Sequence, residues 1–170
     1  LKISGKTPTE IYTHTIKGIT IDPNDDYTLF LAYNNFSDKD RIWKVSKLDT
    51  DNPVWTSVSG DLPDELPVNY MDVDPDEPGK NLFAGTDFGL YYSIDSGNSW
   101  FKEDRIPGVA IHQVKMRKDR KLFIFTHGRG MWYSSLKTMI PNSVKKQQPI
   151  DFTIYPNPAG RSVSFNVPFN

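Results

Sequence analysis

Ser93-Ile94-Asp95-Ser96-Gly97-Asn98-Ser99-Trp100 brings hydroxyls, a carboxylate and an indole into one short stretch of this 170-residue chain. A carboxylate in such company could serve as a general acid or base. The same residue types also specify a tight turn. Asp95 can accept backbone N–H bonds across it, Gly97 supplies a positive φ, and Trp100 returns into a sheet. Every feature of the segment serves the turn, so a structural role is expected for Ser93, Asp95, Gly97 and Trp100. Thr126-His127-Gly128-Arg129-Gly130-Met131-Trp132 is the second segment. Its glycines permit a tight backbone path, and His127, Arg129 and Trp132 are the candidates for facing a ligand. An Arg129 that bonds backbone carbonyls is the reading favoured over ligand contact.

The remaining reactive groups assemble into no familiar catalytic set. Acidic pairs such as Asp25-Asp26 and Asp64-Glu65 sit in turn-rich segments, where solvated turn carboxylates are expected. Asp22 and Asp74 recur at one repeat position, which argues for a repeated structural role. His14, His112 and His127 lack metal-ligand spacing, so no metal site is expected. No phosphate-binding glycine loop or Gly-x-Ser-x-Gly elbow is present, and no cofactor is expected. The chain has no cysteine, which excludes disulfides and thiolate metal sites. Its net charge of -1 offers no electrostatic case for nucleic acid or an anionic membrane. Lys115 to Lys121, interrupted by Asp119, reads as a solvated loop. No apolar run approaches the about 18 residues that span a bilayer. No signal peptide opens the chain. Leu1 is no natural initiator, so the expectation is a cut or processed end with any export signal upstream.

The elements that must position these residues are strands. Aromatics make up 13%, with 13 prolines and 11 glycines, and helical periodicity is nearly absent. Short runs separated by turn residues begin at Gly18–Ile21, Thr28–Tyr33, Arg41–Val45 and Val54–Val58. They continue at Tyr70–Val73, Asn81–Ala84, Leu90–Ile94 and Ser99–Lys102, then His112–Met116, Lys121–Phe125 and Met131–Ser134. The runs repeat. Ile19-Thr20-Ile21-Asp22-Pro23 matches Met71-Asp72-Val73-Asp74-Pro75, and His112 to Met116 is a third copy. Gly89-Leu90-Tyr91-Tyr92-Ser93 matches Gly130-Met131-Trp132-Tyr133-Ser134. Each unit reads as four strands in about 40–50 residues, the size of a β-propeller blade. The expected class is all-β, with a partial outer strand at 1–5, blades at 18–60 and 70–104, and a three-stranded closing blade at 111–136. Two or three blades leave apolar faces in water, so the remaining blades of a parent propeller are the expected partner. A polar linker follows at 137–149. A hairpin opens at 150–170, running from Phe152-Thr153-Ile154-Tyr155 to Ser162–Val167.

Three segments carry a resemblance to known families. Ser93–Trp100 resembles the Asp-box, Ser-x-Asp-x-Gly-x-Thr-Trp, with Ser99 in place of the threonine. Thr126–Trp132 resembles the Thr-His-Gly-Arg-Gly-x-Trp segment in the last blade of bacterial repeat (BNR) propellers related to sialidases, to the sortilin-type propeller and to xyloglucan-degrading hydrolases. That likeness covers about residues 1–136 and implies a seven-bladed or larger propeller in the parent protein. Tyr155-Pro156-Asn157-Pro158, after an aromatic strand, resembles the start of the immunoglobulin-like C-terminal sorting domain of the type IX secretion system of Bacteroidetes. The resemblance implies passage through the periplasm to the cell surface or medium, with residues 150–170 meeting the translocon or an outer-membrane carrier.

The expected function is extracellular binding or adhesion, with a glycan as candidate ligand. The alternative is a glycoside hydrolase, sialidase- or xyloglucanase-like, whose catalytic residues lie upstream. Arg41, Arg105, Arg117, Arg120, Arg129 and Arg161 fall in unrelated repeat positions, so the arginine cluster a sialidase requires is not among them.

Overall fold

The computed structural model describes residues 15–36 and 39–136, together with strands Thr153–Tyr155 and Val163–Ser164. β1 (Thr15–Asp22), β2 (Asp25–Asn34), β3 (Ile42–Ser46) and β4 (Val54–Ser57) form a four-stranded sheet in sequence order. β5 (Val68–Val73), β6 (Leu82–Thr86), β7 (Gly89–Ser93) and β8 (Phe101–Lys102) form a second. β9 (Ile111–Met116), β10 (Lys121–Thr126) and β11 (Met131–Ser135) open a third, continued by β12 (Thr153–Tyr155) and β13 (Val163–Ser164). Every paired strand is antiparallel.

All eleven runs expected between residues 18 and 134 are strands, with ends displaced by a few residues. The run expected at Ser99–Lys102 shortens to Phe101–Lys102 because the Ser99 N–H is bonded to the Asp95 carboxylate instead of a neighbouring strand. The third sheet departs from the expected three strands. Trp132 pairs with Ile154, so β12 takes the fourth position, and Ile154 pairs with Val163 of β13. The first strand of the expected hairpin is thus paired onto β11 and the second onto β12. The outer strand at 1–5 and the linker at 137–149 lie outside the described residues.

Burial explains the strand sequences. Leu82-Phe83-Ala84-Gly85-Thr86 is buried throughout because the second sheet has a neighbour on both faces. On one face Met71, Val73, Leu82, Ala84, Tyr91 and Trp100 pack against Phe30, Ala32 and Ile42 of the first sheet. On the other, Phe83 and Leu90 pack with Ile111, Val114, Met116, Leu122, Ile124 and Trp132 of the third. Burying each large side chain contributes about 1.5–3 kcal/mol. Polar ties run along the same contacts. The Thr20 hydroxyl donates to the Met71 carbonyl at 2.5 Å, and the Met116 N–H donates to Asp72 at 2.8 Å.

The meander gives each sheet two distinct ends. The β1–β2, β3–β4, β5–β6, β7–β8 and β9–β10 turns lie at one end, here the turn end. The β2–β3, β6–β7 and β10–β11 connections lie at the opposite, loop end. A five-residue strand separates the two ends by about 16 Å.

Candidate functional site

The two sequence segments with chemical potential lie at opposite ends of the molecule. Ser93–Trp100 connects β7 to β8 and belongs to the turn end, whereas His127–Gly130 connects β10 to β11 at the loop end. Asp95 therefore cannot share a site with His127 or Arg129.

At the turn end Ser93, Asp95, Gly97 and Trp100 each have a partner within the fold. The Ser93 hydroxyl donates to Asp95 Oδ1 at 2.8 Å and accepts the Gly97 N–H at 2.9 Å. Asp95 Oδ1 also accepts the Ser99 N–H at 2.8 Å. Burial pushes the Asp95 carboxyl up, but the Ser99, Ser93 and Asn98 hydrogen bonds outweigh it and hold the pKa below its ordinary 3.8. That favours an ionised acceptor and opposes a proton-donating role near neutral pH. Trp100 is 7% exposed, and its indole N–H lies 3.0 Å from the Val58 carbonyl and 3.2 Å from the Gly97 carbonyl. The Trp100 backbone N–H donates to Asp61 at 2.6 Å. Val58 and Asp61 lie in the β4–β5 connection, so the turn fastens the second sheet to the segment leaving the first. Gly97 has φ +82°, and a Cβ there would sit 2.3 Å from the Val58 carbonyl oxygen.

Asp22 and Asp74 share one local role at this end. Each accepts the backbone N–H two residues on, Asn24 at 2.9 Å and Asp76 at 3.1 Å. Asp74, with no exposed surface, additionally receives Arg120 at 2.6 Å and the Asn81 amide at 3.0 Å. A cavity of about 10 Å³ beside them, lined by Phe83, Tyr92 and Leu136 among others, has room for no more than a water.

The loop end carries the groups that remain open. The Asn34 amide donates to Asn69 at 2.6 Å, and Asn69 donates to Asp87 at 2.8 Å, a chain that links the first and second sheets. Phe36, just beyond β2, is 59% exposed, and Phe88, in the β6–β7 turn, is 53% exposed. The β6–β7 and β10–β11 turns are built alike. The Thr86 hydroxyl donates to the Gly89 carbonyl at 2.7 Å, and the Thr126 hydroxyl to the Gly130 carbonyl at 2.6 Å. Gly128 and Gly130 both have positive φ, at 77° and 73°. His127 and Arg129 are exposed there.

His127 meets His112, with His112 Nε2 and His127 Nδ1 3.2 Å apart. Trp132 does not join them. Expected among the ligand-facing residues, it is 8% exposed, packs between the second and third sheets, and donates its indole N–H to the Arg129 carbonyl at 3.3 Å. Its alternation with Met131 and Tyr133 along β11 turns it inward. Tyr91 is likewise core. Tyr155 lies in β12, while Pro156, Asn157 and Pro158 fall outside the described residues. Among the described residues, no three or more His, Asp or Glu side chains are grouped to hold a metal ion.

Sequence reasoning missed three parts of this surface: Phe36, Phe88 and the Asn34–Asn69–Asp87 chain. The repeat held a signal for the aromatics, because Phe36 and Phe88 both follow closely on the second strand of their units. The amide chain depends on which strands neighbour each other in space, which the repeat alone does not state.

The architecture has known counterparts. The β-propeller domain of Cps50 (Swd1) from Myceliophteria thermophila superposes with a TM-score of 0.59 at 16% identity, covering 80% of this chain and 44% of that one. The GH74 xyloglucanase of Xanthomonas campestris superposes with a TM-score of 0.49 at 13% identity, covering 88% of this chain and 28% of that one. No protein-family model and no curated protein matches the chain. The three sheets are blades of β-propeller type, and the chain spans less than half of the Swd1 propeller domain.

Proposed function

We propose that this chain is part of a secreted or cell-surface β-propeller, exported by the type IX secretion system, whose loop end binds an extracellular glycan in an adhesive role. The observation that carries the binding reading is the placement of exposed Phe36 and Phe88 at the same end as the Asn34–Asn69–Asp87 chain. Aromatic faces pack on the C–H faces of sugar rings, while amides and a carboxylate bond hydroxyl groups. The carboxylates of these loops are occupied in ways that suit binding better than hydrolysis. Asp87 accepts from Asn69, and Asp40 accepts from the Ser57 hydroxyl. Export rests on the sequence Tyr155-Pro156-Asn157-Pro158 at the carboxy-terminal side of the blades. Further blades of the parent protein are the partners that would cover the exposed Ile19 and Ile21 of the first sheet.

The test is calorimetric titration of the full chain with xyloglucan oligosaccharides and with sialyllactose. Binding to one of them, weakened about tenfold or more by Phe88→Ala or Phe36→Ala, is the expected result. Equal binding by both variants would remove the loop-end reading. Release of new reducing ends from the same oligosaccharides by the parent protein with its upstream blades would favour the glycoside hydrolase over the binder.

A further inference from the structure

We propose that His112 and His127 form a two-nitrogen chelating site for a divalent transition-metal ion, of the zinc or copper class, at the loop end of the third blade. The two residues are 15 positions apart and are brought together by the pairing of β9 with β10. The ladder is regular through Phe125↔Gln113, then shifts so that Thr126 pairs with Ile111. The His127 N–H follows by donating to the Ala110 carbonyl at 2.8 Å, which fixes its backbone beside that of His112. Both backbones are thus held by sheet hydrogen bonds while both rings reach solvent.

The separation suits shared coordination. Imidazole nitrogens bind zinc at about 2.0–2.1 Å, so two of them on one tetrahedral ion stand about 3.3–3.4 Å apart, and on a square-planar ion about 2.9 Å. His112 Nε2 and His127 Nδ1, at 3.2 Å, fall between these values. The rings are 5.3 Å apart between centroids and inclined at 69°, so a modest rotation of exposed side chains points both lone pairs at one ion. In the metal-free pair one ring donates its N–H to the other. On binding, that proton moves to the far nitrogen of its own ring through solvent. A neutral pair therefore takes up the ion with no net loss of protons, and both near nitrogens become ligands. Water or an oxygen of a bound ligand fills the remaining positions.

The test is titration of the intact 170-residue chain with zinc chloride alone, followed by calorimetry, alongside His112→Gln, His127→Gln and His14→Gln. Glutamine keeps a polar group of similar reach and so protects the fold, which circular dichroism checks. One zinc per chain is expected, with affinity reduced about tenfold or more by either loop-end substitution and unchanged by His14→Gln. Absence of binding by the unsubstituted chain, or unchanged binding by a folded His127→Gln protein, overturns the site. Because the readout is the metal, failure here leaves glycan binding by Phe36 and Phe88 standing, and failure there leaves this site standing.

Discussion

Asp95 shows how one carboxylate can organise a turn without chemistry of its own. Its Oδ1 accepts from Ser93 and Ser99, and those bonds hold its pKa below the ordinary 3.8 against the opposing effect of burial. A carboxyl whose folded pKa is depressed contributes stability that is fully present above the unfolded value and is lost as pH falls through the folded one. Asp95→Ala removes the acceptor and strands two donors, at a cost of about 1–3 kcal/mol at neutral pH. Urea unfolding of the two proteins at pH 7 and again below the ordinary carboxylate range is the measurement. The gap between them is expected to narrow in acid, where Asp95 itself becomes protonated. A gap of equal size at both pH values would mean that the ionised carboxylate contributes nothing to the turn.

The strand is the scale at which repeat position and neighbour part company. Asp22 and Asp74 occupy matching places after β1 and β5 and cap matching turns. Only Asp74 also has Arg120 at 2.6 Å, from the turn between β9 and β10 in the next blade. Asp22→Asn retains an oxygen acceptor and is expected to cost under about 1 kcal/mol. Asp74→Asn removes the buried carboxylate from Arg120, which keeps only the exposed Asp76 at 3.4 Å, and is expected to cost about 2–3 kcal/mol. Comparative thermal unfolding separates the two, and equal losses would show the Arg120 pairing to be inconsequential. The shared role was legible in the sequence because the turn chemistry recurs within each copy. The Arg120 partner was not, because it depends on which blade lies alongside. The same limit hid the His112–His127 contact, which needs the irregular step in the β9–β10 register. It also made Trp132 look accessible, since alternation along β11 reveals two faces but not which one is covered. Alternation and turn residues located eleven strands. The placement of β12 beside β11 is a pairing between segments far apart in the chain, and no local pattern encoded it.

At the scale of the whole molecule the two faces of the first sheet are unequal. Strand pairing places Ile21 opposite Leu29 and Val73 opposite Leu82, so Ile19 and Ile21 of β1 hold the places that Met71 and Val73 hold in β5. Met71 and Val73 are 0% and 2% exposed beneath the first sheet, whereas Ile19 and Ile21 are 55% and 61% exposed. Leu31, Tyr33 and Val45 are buried on the same outer face. There the Tyr33 hydroxyl and the Trp55 indole N–H are enclosed without a hydrogen-bond partner among the described residues. Burial pushes the Tyr33 hydroxyl up to about 12, so it stays protonated and available as a donor at any physiological pH. An apolar strand edge beside unanswered donors matches a surface shaped for another blade, in the manner of the contact between the first and second sheets. Ile19→Thr with Ile21→Thr is therefore expected to shift the chain's unfolding free energy by no more than about 0.5 kcal/mol and to reduce self-association in sedimentation velocity. Met71→Thr, at the matching place in a covered interface, is expected to cost about 2–5 kcal/mol. If the isoleucine pair proves as costly as Met71, β1 already has its neighbour within this chain, and the first sheet is an end blade with no vacant side.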